Sequence, residues 1–280
     1  MLQKSRQYAI IKLMKLKKYR VLFKNHLATV LEYRSEILFG VILELVGFVG
    51  IILYWTAVYK DTSSVGSYNL GSMLAYYLIL PLIYMFTGVN FAQYLGEDIK
   101  SGVLANQLLK PFYTQIWYIS RMLARRVINL VLVVPFLLLP LFFLNSQGLF
   151  TPTIMGIGTC MLLMVFSLFL YSSLEFCIGY LAFWVDDVWA FRHIKEIVIG
   201  TLGGMMFPLA IVQDKVLMGI INALPFRFIY YTPLNYLLGK ADISQLGSDL
   251  QQMLTWSLVF IILATILWKQ GLKKYEAYGR

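Results

Sequence analysis

Glu44 and Glu175 are the residues of this sequence whose type and setting could do chemistry, because each lies inside a long apolar run. A charged carboxylate facing hydrocarbon costs roughly 3 kcal/mol, so each should face protein or water. There it can take up a proton or cation during transport, or serve as a hydrogen-bonded structural group; both readings stand. Gly40, Glu44 and Gly47 share one helix face, as do Ser172, Glu175 and Gly179, which supports packing against neighbours. Other chemistry is hard to assemble. His26 and His193 are far apart and neither has metal-ligand spacing, and His193 in "DDVWAFRHIKE" reads as part of a solvated connection. Cys160 and Cys177 lie about 25 Å apart along one helix and cannot bond to each other. With no GxxxxGK[ST] stretch, the chain is not expected to bind ATP through a P-loop. An enzyme, a metal site and a bound cofactor are therefore not expected.

The elements that hold these residues follow from composition. Of 280 residues, 59% are hydrophobic and only 14% charged, against about a quarter charged in a soluble domain. The chain reads as an all-α integral membrane protein. Runs able to cross about 30 Å of hydrocarbon are 37–59, 70–91, 127–144, 154–184, 197–212 and 250–268. The segment 216–239 is apolar but interrupted by Pro225, Arg227 and Pro233, so it is expected to form a re-entrant or interfacial hairpin. Six spans with both termini inside leave only Lys60, Lys215, Arg227 and Lys240 of the 24 Lys and Arg on the outer face, as the distribution of basic residues in membrane proteins demands. The outer end of the first span carries Tyr54, Trp55 and Tyr59, read as an interfacial aromatic belt. Gly200 and Gly204 have a spacing that permits close helix packing.

The first 34 residues have no uninterrupted apolar core and no small-residue cleavage site, so they are not expected to be a signal peptide. Leu16, Tyr19, Phe23, Leu27 and Val30 recur in steps of three and four among basic residues. That pattern predicts an amphipathic helix on the cytoplasmic interface, held by its apolar face and by anionic headgroups. A basic segment that sets topology gives the same charges, and the two readings are compatible.

Between the second and third runs lies "LGEDIKSGVLANQLLKPFYTQ". The spacing predicts one short amphipathic helix over 96–111, with Glu97 and Asp98 at its positive N-terminus, a stripe of Ile99, Val103 or Leu104, and Leu108, and Pro111 as its stop. Leu104 and Leu108 would form a hydrophobic knob, with Glu97, Asp98, Lys100 and Lys110 as its polar rim. Such a helix suits either a groove on a soluble partner or the headgroup layer.

"GVLANQLLKPF" resembles the Gly-x-Leu-x-x-x-Leu-Leu-Lys/Arg-Pro stretch after the second span of ABC-2 type exporter permeases, through Gly102, Leu104, Leu108, Leu109, Lys110 and Pro111. The likeness continues through "LAFWVDD", "GGMMFPL", "LPFRFIYYTP" and the tail "GLKKYEAYG". One departure is Gln213, five residues after Pro208, where the family often has a second proline. The resemblance implies a half-transporter of the type-2 exporter permease fold, with six spans, an interfacial N-terminal helix, a cytoplasmic coupling helix and an external re-entrant hairpin. It further implies two copies of a separate ABC ATPase subunit that binds the ATP, a second permease chain, identical or related, and residence in the plasma membrane. Membrane lipids are expected as partners and nucleic acid is not. The other reading from residues alone is a secondary transporter or channel coupled through Glu44 or Glu175, which would more naturally carry inverted repeats.

Overall fold

In the computed structural model the described residues are 18–32, 34–110, 113–132 and 134–275, with the side chains of 34–38, 41, 44 and 45 excepted. Among them the chain is helical, and its one β-bridge joins Val65 to Tyr68. Residues 18–32 form α1. Then come α2 (Arg34–Val58), α3 (Leu70–Thr87), α4 (Phe91–Lys100), α5 (Val103–Leu108), α6 (Thr114–Leu132) and α7 (Val134–Ser146). The remainder is α8 (Ile154–Tyr180), α9 (Trp189–Leu202), α10 (Lys215–Ala223), α11 (Tyr231–Leu237) and α12 (Leu246–Lys274).

Local sequence explains several boundaries. Asn69 caps α3 by accepting from Ser72 N at 2.9 Å, while Ser72 Oγ accepts from Asn69 N at 3.0 Å, a reciprocal box that satisfies two amides. Thr153 caps α8 and Asp214 caps α10 through the same kind of side-chain acceptor. Helix α8 is the centre of the fold: α12 lies along it, and α4, α11 and α3 pack against its other sides.

Among the described residues three helices are long and apolar enough to cross a membrane, Leu70–Thr87, Ile154–Phe183 and Ile243–Lys274. The pair α6 and α7, bent by 48°, makes a fourth candidate, and Val46–Val58 of α2 is a shorter apolar helix. Expectation and structure part in three places. The run 70–91 is not one helix, since α3 stops at Thr87 and α4 starts at Phe91. The run 127–144 belongs to helices that begin at Thr114, so Arg121, Arg125 and Arg126 are helical and not in a connection. The run 197–212 contains only the end of α9, a fourteen-residue helix that rises about 21 Å. It ends because Gly204 takes φ +81 and the chain turns, with Tyr231 N donating to Gly203 O. Gly200 and Gly204 therefore form no helix-packing pair: Gly200 faces Met206, and Gly204 receives Tyr76.

Residues 18–32 are helical, but the most buried residues of α1 are Leu22 and His26, while Tyr19, Phe23, Leu27 and Val30 of the expected stripe are half-buried. Leu16 and Lys17 fall outside the described residues. At the α3 N-terminal end, tyrosines hold loops. Tyr59 donates to Tyr68 O at 2.7 Å, Tyr77 to Met206 O at 2.9 Å, Tyr76 to Gly204 O and Tyr68 to Asn235. Trp55 is buried against Tyr77, whereas Tyr54 is exposed, so the aromatic group of α2 faces protein and open surface both.

Candidate docking and coupling site

The stretch that sequence periodicity reads as one helix folds as two. Helix α4 ends at Lys100, Ser101 N and Oγ both bond to Glu97 O, and Gly102 takes φ +76 before α5 begins. A side chain there would collide with the backbone, so glycine is the residue this turn requires. Consequently Glu97 and Asp98 sit in the last turn of α4 and not at a helix N-terminus, which corrects the dipole argument for them.

The turn also changes which leucines are presented. Leu104 is 0% exposed and packs into this chain's own core. It forms no part of an exposed knob, contrary to expectation. Leu108 is 41% exposed as expected, and the protruding apolar residues beside it are Val103 and Leu109, the latter 85% exposed. Pro111 lies outside the described residues.

Asp98 turns inward and becomes an anchor. Its Oδ2 accepts from Gln107 Nε2 at 2.5 Å and from the Tyr118 hydroxyl at 2.8 Å. Tyr118 has one proton and a second acceptor, Gln107 Oε1, at 3.1 Å; the carboxylate is nearer and charged, so it takes the proton. This triangle ties α4, α5 and α6 together beneath Leu104. Glu97 and Lys100 stay exposed, Glu97 accepting from Gln93 and Lys100 lying 3.6 Å from Asp187. Lys110 is exposed and sits 4.1 Å above the Trp117 ring. His26 of α1 meets the same ring edge-on at 4.6 Å. Burial, with help from Arg121 and Lys110, pushes the His26 imidazole down to about 4.

A second group of charges lies where α4 meets the core. Glu175 is 0% exposed; its Oε1 pairs with Lys195 Nζ, and its Oε2 accepts from Ala92 N at 3.0 Å. Gly179 makes the approach possible, since a side chain there would strike Leu95 and Ala92. Phe91 stacks on Phe176 at 4.5 Å beside it. Arg126, also buried, gives Nε to Met85 O at 3.2 Å and Nη2 to Gly88 O at 3.0 Å. Glu44 lies on α2, but its side chain is outside the described residues. Among the described residues no group of His, Cys, Asp and Glu could hold a metal ion.

Sequence reasoning found Glu175 and missed Lys195, Gln107, Tyr118 and Arg126. Lys195 had a signal: it is one turn from Ile199, and both are buried on one α9 face. Arg126 had none, because its acceptors are backbone carbonyls.

The described residues thus form a helical protein with apolar helices long enough to cross a membrane and, after the first of these, a pair of short helices anchored to the rest of the chain. Residues 45–279 match the family described as ABC-2 family transporter protein, and the chain belongs to that family. It is a permease of an ABC transporter, and the family implies association with ABC ATPase subunits. No curated protein and no solved structure matches the chain.

Proposed function

We propose that this permease exports a hydrophobic or amphiphilic substrate using ATP hydrolysed on two copies of a separate ATPase subunit, and that it binds no ATP itself. It pairs with a second permease chain, identical or related, in the plasma membrane. This reading takes six spans, with α9 and the turn after it as the fifth, both termini and the α4–α5 pair in the cytoplasm, and α10 with α11 as a re-entrant segment on the outer face.

The observation that carries this reading is the surface of α5. Val103, Leu108 and Leu109 stand out beside Glu97, Lys100 and Lys110, on a helix whose other side is fastened to α6. An apolar tip with a charged rim on a rigid base suits a groove on a soluble subunit. A secondary transporter working through Glu175 is not favoured, because both carboxylate oxygens are already engaged by Lys195 and Ala92.

The test is purification of the complex carrying Leu108→Ala and Leu109→Ala. Each leucine buried on docking contributes about 1.5–3 kcal/mol, so the ATPase should be retained at least about tenfold less well while the permease stays folded. Full retention with full ATPase activity would show that α5 rests on the membrane and not on a partner.

A further inference from the structure

Helices α3 and α4 are joined by three residues, Gly88 to Asn90, and the joint is held from outside by charges of opposite sign. A broken helix leaves carbonyls free at the end of its first half and amides free at the start of its second. The first end carries partial negative charge and the second partial positive charge. Arg126 of α6 supplies the cation to the carbonyls of Met85 and Gly88. Glu175 of α8 supplies the anion to the amide of Ala92. Asn90 occupies the position from which a side chain usually caps a helix, yet it makes no such bond. The cap of α4 is thus provided by a different helix.

Arg126 is not there for an ion pair. Among the described residues Arg126 pairs with no carboxylate: its hydrogen bonds go to carbonyls and its guanidinium lies 5.6 Å from the centre of the Phe86 ring. Glu175 does pair with Lys195, which connects α9 to the same point, while Arg192 one turn earlier donates to Gln93 of α4 at 3.0 Å. Three elements, α6, α8 and α9, therefore meet at the break between α3 and α4, the helix that leads to α5.

We propose that Glu175 and Arg126 are positioning residues that make this break a defined joint, through which displacement of α4 and α5 is passed to α3, α6 and α8. The proposal rests on the reading of α5 as the ATPase docking element. Without the two charges, α4 would swing on its three-residue linker and a push on α5 would be absorbed there. Lys195 has a different part: it neutralises Glu175 and lets a carboxylate sit at this depth.

These roles can be separated because an uncharged amide can accept from Ala92 N and a thioether side chain accepts only feebly. In Glu175→Met with Lys195→Met both members of the ion pair go together and neither charge is left without the other, so the fold should survive while the cap is lost. In Glu175→Gln with Lys195→Gln the acceptor is kept and the two amides can bond to each other. Hydrogen–deuterium exchange is followed in the permease–ATPase complex, with and without ATP and vanadate. The expected result for the double Met variant is exchange at 88–95 faster by at least about tenfold, as for loss of a hydrogen bond to a charged group. Exchange in the middle of α8 stays unchanged, the ATPase is retained, and the nucleotide-induced change in α3 disappears. The double Gln variant should behave as wild type.

Unchanged exchange at 88–95 in the double Met variant overturns the proposal. So does faster exchange throughout α8, because the pair then holds the whole core and not a joint. Loss of the nucleotide response in both variants would also overturn it, as charge and not the cap would be responsible. If wild-type permease retains no ATPase, the functional reading fails instead, and exchange at 88–95 in the permease alone still decides whether Glu175 caps α4.

Discussion

Arg227 Nη2 lies 3.0 Å from Asp249 Oδ1, joining the turn before α11 to the first turn of α12. Tyr236 donates to the other oxygen of Asp249 at 3.1 Å, so the carboxylate is satisfied on both sides. The side chains are only 17% and 6% exposed, which makes the pair a fastening of the α11 segment and not a surface contact. Removing one partner leaves the other charge buried. Arg227→Met alone should lower stability by about 3–5 kcal/mol, and adding Asp249→Leu should restore much of it. Thermal unfolding in mild detergent checks both, and equal stability of the single variant and wild type would place the pair in solvent.

Leu104 and Leu108 should respond differently to the same truncation. Leu104→Ala opens a cavity under the docking pair and should cost about 2–5 kcal/mol of stability, whereas Leu108→Ala should leave the melting temperature nearly unchanged. The unfolding midpoints of the two single variants decide this.

Gly102→Ala forces a side chain into the left-handed region and should destabilise the turn by about 1–2 kcal/mol. Limited proteolysis between α4 and α5 should become faster. No change would mean that the turn has another conformation in the complex.

Docking of α1 on α6 should depend on pH in one direction. The His26 imidazole, ordinarily near 6.5, is held down to about 4 when buried against Trp117. Between these values an undocked α1 binds the additional proton, so docking is strongest above about 6.5 and is lost as pH falls toward 4. The groups that oppose the proton are Arg121 and Lys110. Exchange protection of 18–32 measured across this range should fall on acidification in wild type and stay flat in His26→Phe.

Sidedness can be read by cysteine labelling, because Cys160 and Cys177 are buried and give little background. Ser64 and Ser101 are both exposed. A cysteine at Ser64 should react with an impermeant reagent on intact cells and one at Ser101 should not. Reversal of the two would invert the proposed orientation. A cysteine at Gly279, which lies outside the described residues, should also be shielded; labelling there would mean that 216–239 crosses the membrane.

Helices α8 and α12 were legible because long apolar runs have one solution in hydrocarbon, and Pro225 and Pro233 announced the break before α12. The stretch 96–111 is legible as short helical structure between apolar runs, but its internal phase is not. Glycine 102 looks like any glycine in a helical period, yet its left-handed turn rotates α5, sending Leu104 inward and Leu109 outward. Sequence alone puts Lys195 in a connection because the apolar run after it starts at Ile197, whereas α9 begins at Trp189. The joint was invisible, since its essential acceptors and donor are backbone atoms of Met85, Gly88 and Ala92, which no side-chain pattern reports.

On α5 and its flanks, Leu104, Gln107 and Asp98 face the protein while Val103, Leu108 and Leu109 face away. The side chains that the proposed docking would use and those that hold the helix in place are therefore two separate sets. Substitutions at 103, 108 and 109 can drift without disturbing the triangle of Asp98, Gln107 and Tyr118. Under the proposed docking, a change of ATPase preference requires change at these three surface positions alone, and the anchoring behind them can stay as it is.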